Sequence, residues 1–292
     1  MREEIFNSLS EDLQYKYLKY CLPDDLSNLT LDSVILSKDN RDKLNQFLVE
    51  TEHKEKFAKY GLPVVNRIIN SGASGTGKTF STKCLAAHLG YELLSVDIAK
   101  ALGSGEVLTA ISDIFEIGNK IGKAIIFLDE CDSVAKRRTS KEAENEDPQV
   151  KRAITTIFQQ VDRMNKECIF IACTNLFSQL DDAFVRRFNY HMEFTRPPLN
   201  DFENTIKHFM HKDFTYVEDM EPALKNIVLD YASTFTGLSY GGIEDWVQRA
   251  EKQAIIRGEL EVKESEIYFY FMQHMRIKVY TNDKGEKYLY NE

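Results

Sequence analysis

GASGTGKT, Gly72–Thr79, follows the apolar-centred run NRIIN (Asn66–Asn70) and leads into FSTKCLAAHLG (Phe80–Gly90). Three glycines in this octet, Gly72, Gly75 and Gly77, let the backbone curl until successive N–H groups share one concavity, which suits phosphate oxygens. The segment after the loop has helical spacing, so its N-terminal dipole end adds positive potential at the same place. Lys78 supplies a formal charge for β/γ oxygens, and Thr79 supplies a hydroxyl for a hard cation. A flexible glycine turn matching this pattern by chance is the alternative. The strand–loop–helix setting argues against it.

Outward from the loop, apolar strands alternate with helical segments. YELLSVD (Tyr91–Asp97) and KAIIFLDE (Lys123–Glu130) read as strands, as do ECIFIACTN (Glu167–Asn175) and YHMEF (Tyr190–Phe194). EVLTAISDIFEIGNKIG and VKRAITTIFQQVDRM read as helices between them. Strands that are apolar on both faces, separated by helices, imply a parallel sheet covered on both sides, an α/β architecture. KAIIFLDE ends in two adjacent carboxylates where a parallel strand opens onto a ligand crevice. There Asp129 suits a Mg²⁺ shell, and Glu130 is placed to orient or deprotonate an attacking water. Two solvated acids at a strand end are common, and only the phosphate loop nearby turns the pair toward hydrolysis.

The flanks divide the chain further. Residues 1–30 read as a short N-terminal helical segment stopped by Pro23, and Ser37 and Gly61 bracket a polar helix. After RPPLN (Arg196–Asn200) the pattern changes to helices only, over roughly 201–211, 221–234, 239–257 and 263–273. The tail alternates apolar and polar residues around Asn-Asp-Lys-Gly, as a hairpin does. The expected organisation is thus 1–30, an α/β domain over 31–198, a helical domain over 199–274 and a tail over 275–292.

Bulk composition narrows the partners. The 292 residues are 43% hydrophobic, with a formal net charge of -9 and no long basic block. That balance disfavours nucleic acid, which selects a concentrated Lys/Arg face. Five scattered cysteines do not form a disulfide framework, and Cys168 and Cys173 fall on opposite faces of their strand. The acidic, amphipathic start MREEIFNSLSEDL is unlike a signal peptide, and no apolar run approaches the roughly 20 residues that span a bilayer. A cytoplasmic protein with no membrane partner is the expectation.

Taken together, these stretches resemble the AAA family of ATPases within the AAA+ class, over about residues 31–257. LDDAFVRRF (Leu180–Phe188) is the most diagnostic match, and ECIFIACTN matches the strand whose terminal polar residue senses the γ-phosphate. The resemblance implies a three-layer P-loop sheet in the order 5-1-4-3-2, followed by a small all-α lid. It implies ATP or ADP held by Gly72, Ala73, Ser74, Gly75, Thr76, Gly77, Lys78, Thr79 and Phe80, with Mg²⁺ on Thr79 and Asp129. Glu130, Asn175 and Lys78 become catalytic positions. Arg186 and Arg187 become arginine fingers that reach the γ-phosphate of a neighbouring subunit, so the resemblance also implies a homo-oligomeric ring, most simply a hexamer. GLSYGGIEDWVQRA resembles the lid segment, with Gly241 at the nucleotide contact and no arginine there. VILSKDNRDKLNQFLVETEHKEKFAKYGLPVVNRIINSGASGTGKT resembles short single-module bacterial and phage AAA ATPases, with Val34 and Ile35 near the adenine.

One departure matters. Where strict AAA remodellers carry an aromatic–hydrophobic–glycine triplet in a pore loop, this chain has Ala101, Leu102 and Gly103. An aromatic supplies a large, sequence-tolerant grip, and alanine removes most of it. The charged run AKRRTSKEAENEDPQ includes Lys136, Arg137 and Arg138, which face the pore or a neighbour in the family; a solvated face is the plain alternative. Three functions stay open: a ring ATPase that remodels a protein partner, a nucleic-acid-associated loader or transposition or defence regulator, and a nucleotide-switched adaptor that does not thread.

Overall fold

The apolar runs become the interior strands of a parallel sheet. The computed structural model describes residues 2–22, 24–96, 98–135, 148–233, 238–281 and 287–291. It divides into a first unit, Met1–Ala73 with Gly77–Thr195, and a second, Ser74–Thr76 with Arg196–Glu292.

In the first unit, α1 (Glu3–Ser8) and α2 (Glu11–Tyr20) are followed by a two-residue strand, β1 (Cys21–Leu22). Ser10 caps α2, its side chain accepting from the Leu13 N–H. Then come α3 (Lys38–Glu52), capped by Ser37 as its sequence requires, and α4 (Lys54–Lys59). Next are β2 (Arg67–Gly72), α5 (Lys78–Leu89), β3 (Glu92–Val96), α6 (Ile98–Gly103), α7 (Val107–Ile121) and β4 (Ala124–Leu128). A one-turn helix, α8 (Asp132–Ala135), precedes α9 (Pro148–Arg163), β5 (Ile169–Thr174), α10 (Asp182–Val185) and β6 (Tyr190–Phe194).

The sheet order is β1-β3-β4-β5-β2-β6. Its five long strands pair in parallel, and counted among themselves they run 2-3-4-1-5, the expected order. Strands β3, β4 and β5 are buried along their whole length. Alternation sorts their side chains between two cores. Leu94, Ile126, Phe170 and Ile69 face α7 and α9, while Leu93, Phe127, Ile171 and Ile68 pack with Phe47 of α3 and Leu85 of α5.

The sequence reading missed β1, which pairs antiparallel with β3 through Cys21↔Val96 and Leu22↔Ser95. Two residues are too few for an alternation to show. The N-terminal helices belong to the first unit, since Leu9, Leu13, Tyr17 and Tyr20 join its core. Ion pairs hold them there, with Lys19 on Glu106 at 2.8 Å and Lys16 on both Asp113 and Glu116. The stretch matched to a pore loop is also not a loop. Residues 98–103 form α6, with Ala101 3% exposed beside Ile98 in the core and Leu102 packed against it. A small residue lets that helix sit close to the core. The charged run 136–147, with Lys136, Arg137 and Arg138, lies outside the described residues.

The second unit carries α11 (Phe202–Phe209), β7 (Thr215–Val217), α12 (Pro222–Ser233), α13 (Tyr240–Arg257), β8 (Glu261–Lys263) and α14 (Glu264–His274). Its helices fall where the sequence places them, but it is not all-α, because β7 and β8 pair in parallel. Each is three residues long, below what periodicity reveals. Phe202, Ile243, Trp246, Val262 and Phe271 form its core. In the tail, β9 (Ile277–Thr281) pairs antiparallel with β10 (Lys287–Asn291), and the Asn-Asp-Lys-Gly turn itself lies outside the described residues.

Candidate active site

The phosphate-type loop leaves β2 at Gly72, whose φ of 145° only glycine adopts without strain. A Cβ there would stand 2.1 Å from the Phe194 carbonyl oxygen, because β6 is paired with this end of β2. The loop closes at Gly77, φ 98°, which caps α5. Lys78 and Thr79 therefore open a helix, and their N–H groups are among those that lack an intrahelical partner.

Lys78 is 7% exposed. Its Nζ donates to the carbonyls of Gly72 and Ala73 and to Asn175 Oδ1, each at 2.8 Å. Burial pushes this ammonium below the ordinary lysine value, while the carboxylates Asp129, Asp132 and Glu130 pull it back up. Thr79 Oγ1 donates to Asp129 Oδ2 at 2.7 Å, and Asp129 Oδ1 accepts the Glu130 N–H at 2.9 Å. The two predicted metal positions are thus adjacent. A hydroxyl and a carboxylate are hard oxygen donors of the kind Mg²⁺ takes when nucleotide phosphates and water complete its shell.

Glu130 is exposed at the end of β4 and holds a left-handed backbone, φ 49°. For a residue with a Cβ that conformation costs about 1–2 kcal/mol, a strain of the sort that gathers at functional positions. The turn after it is fixed by the Cys131 N–H, which donates to the Cys173 carbonyl at 2.9 Å. Asp132, which sequence reasoning passed over, orders the other wall. Its Oδ1 accepts from Thr174 Oγ1 at 2.7 Å and from the Asn175 N–H at 3.4 Å. Its signal was its place in DECD, two residues beyond Glu130.

The two arginines part company. Arg187 is used internally: its guanidinium lies 3.8 Å over the Phe158 ring, Nη1 donates to the Ala183 carbonyl at 2.7 Å, and Nη2 stands 3.5 Å from Asp162. Arg186, at the end of α10, is exposed and has no side-chain partner among the described residues. Asp181 caps this short helix through the N–H groups of Ala183 and Phe184, which fixes where the two arginines leave it.

The remaining predicted contact residues differ in exposure. Ala73 and Gly77 are half-buried, Ser74 and Gly75 exposed, Thr76 1% exposed and Phe80 37% exposed. Val34 is buried and Ile35 half-buried in the first unit. Gly241 is exposed in the first turn of α13 in the second unit.

Comparison with known proteins agrees with this geometry. Residues 68–196 match the family described as ATPase family associated with various cellular activities (AAA). An uncharacterized AAA family ATPase of Sinorhizobium fredii is 29% identical over 236 residues, 80% of this chain and 67% of that protein. CD-NTase-associated protein 6 of Escherichia coli is 35% identical over 156 residues, 48% of this chain and 51% of the relative. The ATP-dependent zinc metalloprotease FtsH 1 of Alkaliphilus metalliredigens is 30% identical over 173 residues, 56% of this chain and 28% of the protease. The matched part thus spans about half or less of the latter two relatives. With the strand order, the glycine loop and the Asp129–Glu130 strand end in place, the chain carries a domain of the AAA family of ATPases.

Proposed function

We propose that this chain binds ATP with Mg²⁺, hydrolyses it, and works as a ring of identical subunits, most simply a hexamer, that remodels a protein partner in the cytoplasm. The observation that carries the reading is the convergence of Lys78, Thr79, Asp129 and Asn175 at one end of the parallel sheet. The loop N–H groups and Lys78 hold the β/γ-phosphates, and Asn175, bonded to Lys78, senses the γ-phosphate. Thr79 and Asp129 hold the Mg²⁺, which when bound neutralises charge on the phosphate oxygens. Glu130 orients the attacking water and takes its proton. Arg186, exposed and without a side-chain partner among the described residues, is the residue offered to a neighbour's site, and Arg187 packs on Phe158 and holds α10 in place. A guanidinium supplied in trans stabilises the transferring phosphoryl by on the order of 10³-fold or more in rate. Five cysteines free of disulfides suit a reducing compartment.

Light scattering with ATP, using Glu130→Gln to stop turnover, measures ring size. Mixing Arg186→Ala with Lys78→Ala restores part of the activity if the finger acts between subunits. Verified mixed rings without recovery would count against that arrangement. A second reading, holding and switching a partner without threading it, is favoured by Ala101, which is buried in α6 where a grip on substrate needs an exposed aromatic. Stimulation of the ATPase by an unfolded protein separates the two, since threading predicts it and switching does not.

A further inference from the structure

A three-residue cluster, Ser71 and His191 on the sheet and Phe177 in the turn after β5, takes no part in the chemistry assigned above. His191 on β6 lies opposite Ile69 of β2, and Ser71 is two residues further along β2 on the same face. His191 Nε2 and Ser71 Oγ are 2.6 Å apart. The imidazole lies flat on the Phe177 ring, with centroids 4.0 Å apart and planes 12° apart. The other aromatic pairs among the described residues are looser, with centroids 5.1 Å apart or more. From α3, Lys43 Nζ donates to the His191 carbonyl at 3.0 Å and Asn40 Nδ2 to the Glu193 carbonyl at 2.8 Å, so the strand beneath the imidazole is itself anchored.

The sequence positions give the cluster its meaning. Ser71 immediately precedes Gly72, and Phe177 follows Asn175 by two residues. Gly72 and Asn175 are two of the three groups that Lys78 Nζ bonds. Lys78 joins the phosphate loop to the Asn175 loop, and His191 joins the residues that flank them, Ser71 and Phe177.

We propose that His191 is a positioning residue of this site. By bonding Ser71 and stacking on Phe177 it fixes the strand that feeds the phosphate loop against the loop that carries Asn175. The inference rests on the hydrolysis reading above, because it assigns His191 an effect on turnover through Asn175. The cradle for bound phosphates is built from the backbone of the glycine loop and does not need the stack. Losing the stack therefore lowers kcat and leaves ground-state affinity nearly untouched.

The test compares wild type with His191→Ala, Phe177→Ala, Phe177→Tyr and Ser71→Ala in the assembled protein with Mg²⁺. It reads ATP turnover and, separately, the Kd of a fluorescent ADP analogue. His191→Ala and Phe177→Ala should lower kcat by about tenfold or more, since small displacements of positioned groups cost that much, with Kd within roughly threefold. Phe177→Tyr keeps a ring for the stack and should restore most of kcat. Ser71→Ala removes only a hydroxyl, preserves the fold and should lower kcat by a few-fold. If wild type turns over ATP while His191→Ala and Phe177→Ala keep their kcat within twofold, the inference falls and the hydrolysis reading stands. Equal losses in kcat and affinity, or a Phe177→Tyr variant as slow as Phe177→Ala, also overturn it. A wild type that binds the analogue but never hydrolyses ATP overturns the hydrolysis reading, and this inference with it.

Discussion

Replacing Gly72 by alanine tests the geometry of the loop without reference to catalysis. Two costs are predicted. A backbone at φ 145° is strained for any residue with a Cβ, at about 1–3 kcal/mol. The new methyl would lie 2.1 Å from the Phe194 carbonyl oxygen, so paired backbone must move by on the order of 1 Å to restore ordinary contact. Displacing packed structure of that kind costs about another 1–3 kcal/mol, giving roughly 2–6 kcal/mol together. Gly77→Ala is the internal control: its φ is 98°, but nothing lies within 4 Å of the added Cβ. It incurs only the strain, about 1–2 kcal/mol. Urea unfolding followed by circular dichroism should move the first unit's midpoint down by about 1–2 M for Gly72→Ala, and by less than half of that for Gly77→Ala. Coincident midpoints would refute the close approach of β6 to the loop.

Four further outcomes are expected. Lys78→Ala should weaken nucleotide binding by about a hundredfold or more, measured by titration with a fluorescent analogue, because a charge-assisted anchor buried in the site is lost. Glu130→Gln should leave that affinity within a few-fold and reduce turnover by on the order of 10²–10⁴; full activity in a phosphate-release assay would remove Glu130 from the mechanism. Arg186→Ala should abolish most turnover and leave the melting temperature unchanged, whereas Arg187→Ala should destabilise the first unit by about 1–2 kcal/mol through loss of its stack on Phe158. Finally, burial and the Lys43 ammonium hold the His191 imidazole below its ordinary value, with Glu193 opposing them. The unfolded chain then binds the proton more readily, so this contribution to stability is complete above about pH 6.5 and is lost as pH falls through the lower folded value. Melting temperatures of wild type and His191→Gln should converge on acidification over that window, and parallel curves would contradict it.

The sheet was legible because β3, β4 and β5 are continuous apolar runs, and burial on both faces leaves that mark in any sequence. The loop, the Asp129–Glu130 pair and Asn175 were legible because each sits at a strand end next to a pattern with its own chemical logic. What escaped had no local signature. β1 is two residues long and β7 and β8 are three, so their pairing is decided by the partner strand and not by their own composition. Ala101 reads as a loop residue only through the resemblance to the family's pore loop, while the core contacts of Ile98 and Leu102 decide that the segment is helical. Arg186 and Arg187 are indistinguishable in VRRF, and the contacts of Arg187 with Phe158 and Asp162, both in α9, separate them. His191 and Phe177 are fourteen residues apart, and their meeting depends on how β5 and β6 flank β2.

The single tryptophan of the chain, Trp246, is 3% exposed in the core of the second unit, with Phe271 at 5.2 Å and His274 at 5.5 Å between ring centroids. It makes the protein its own spectrometer. Selectively excited, its emission reports the second unit alone, while the groups that Lys78 bonds, Gly72, Ala73 and Asn175, lie in the first. A shift on adding nucleotide is therefore a change felt in the core around Trp246, and a silent spectrum at saturating nucleotide means that this core does not respond.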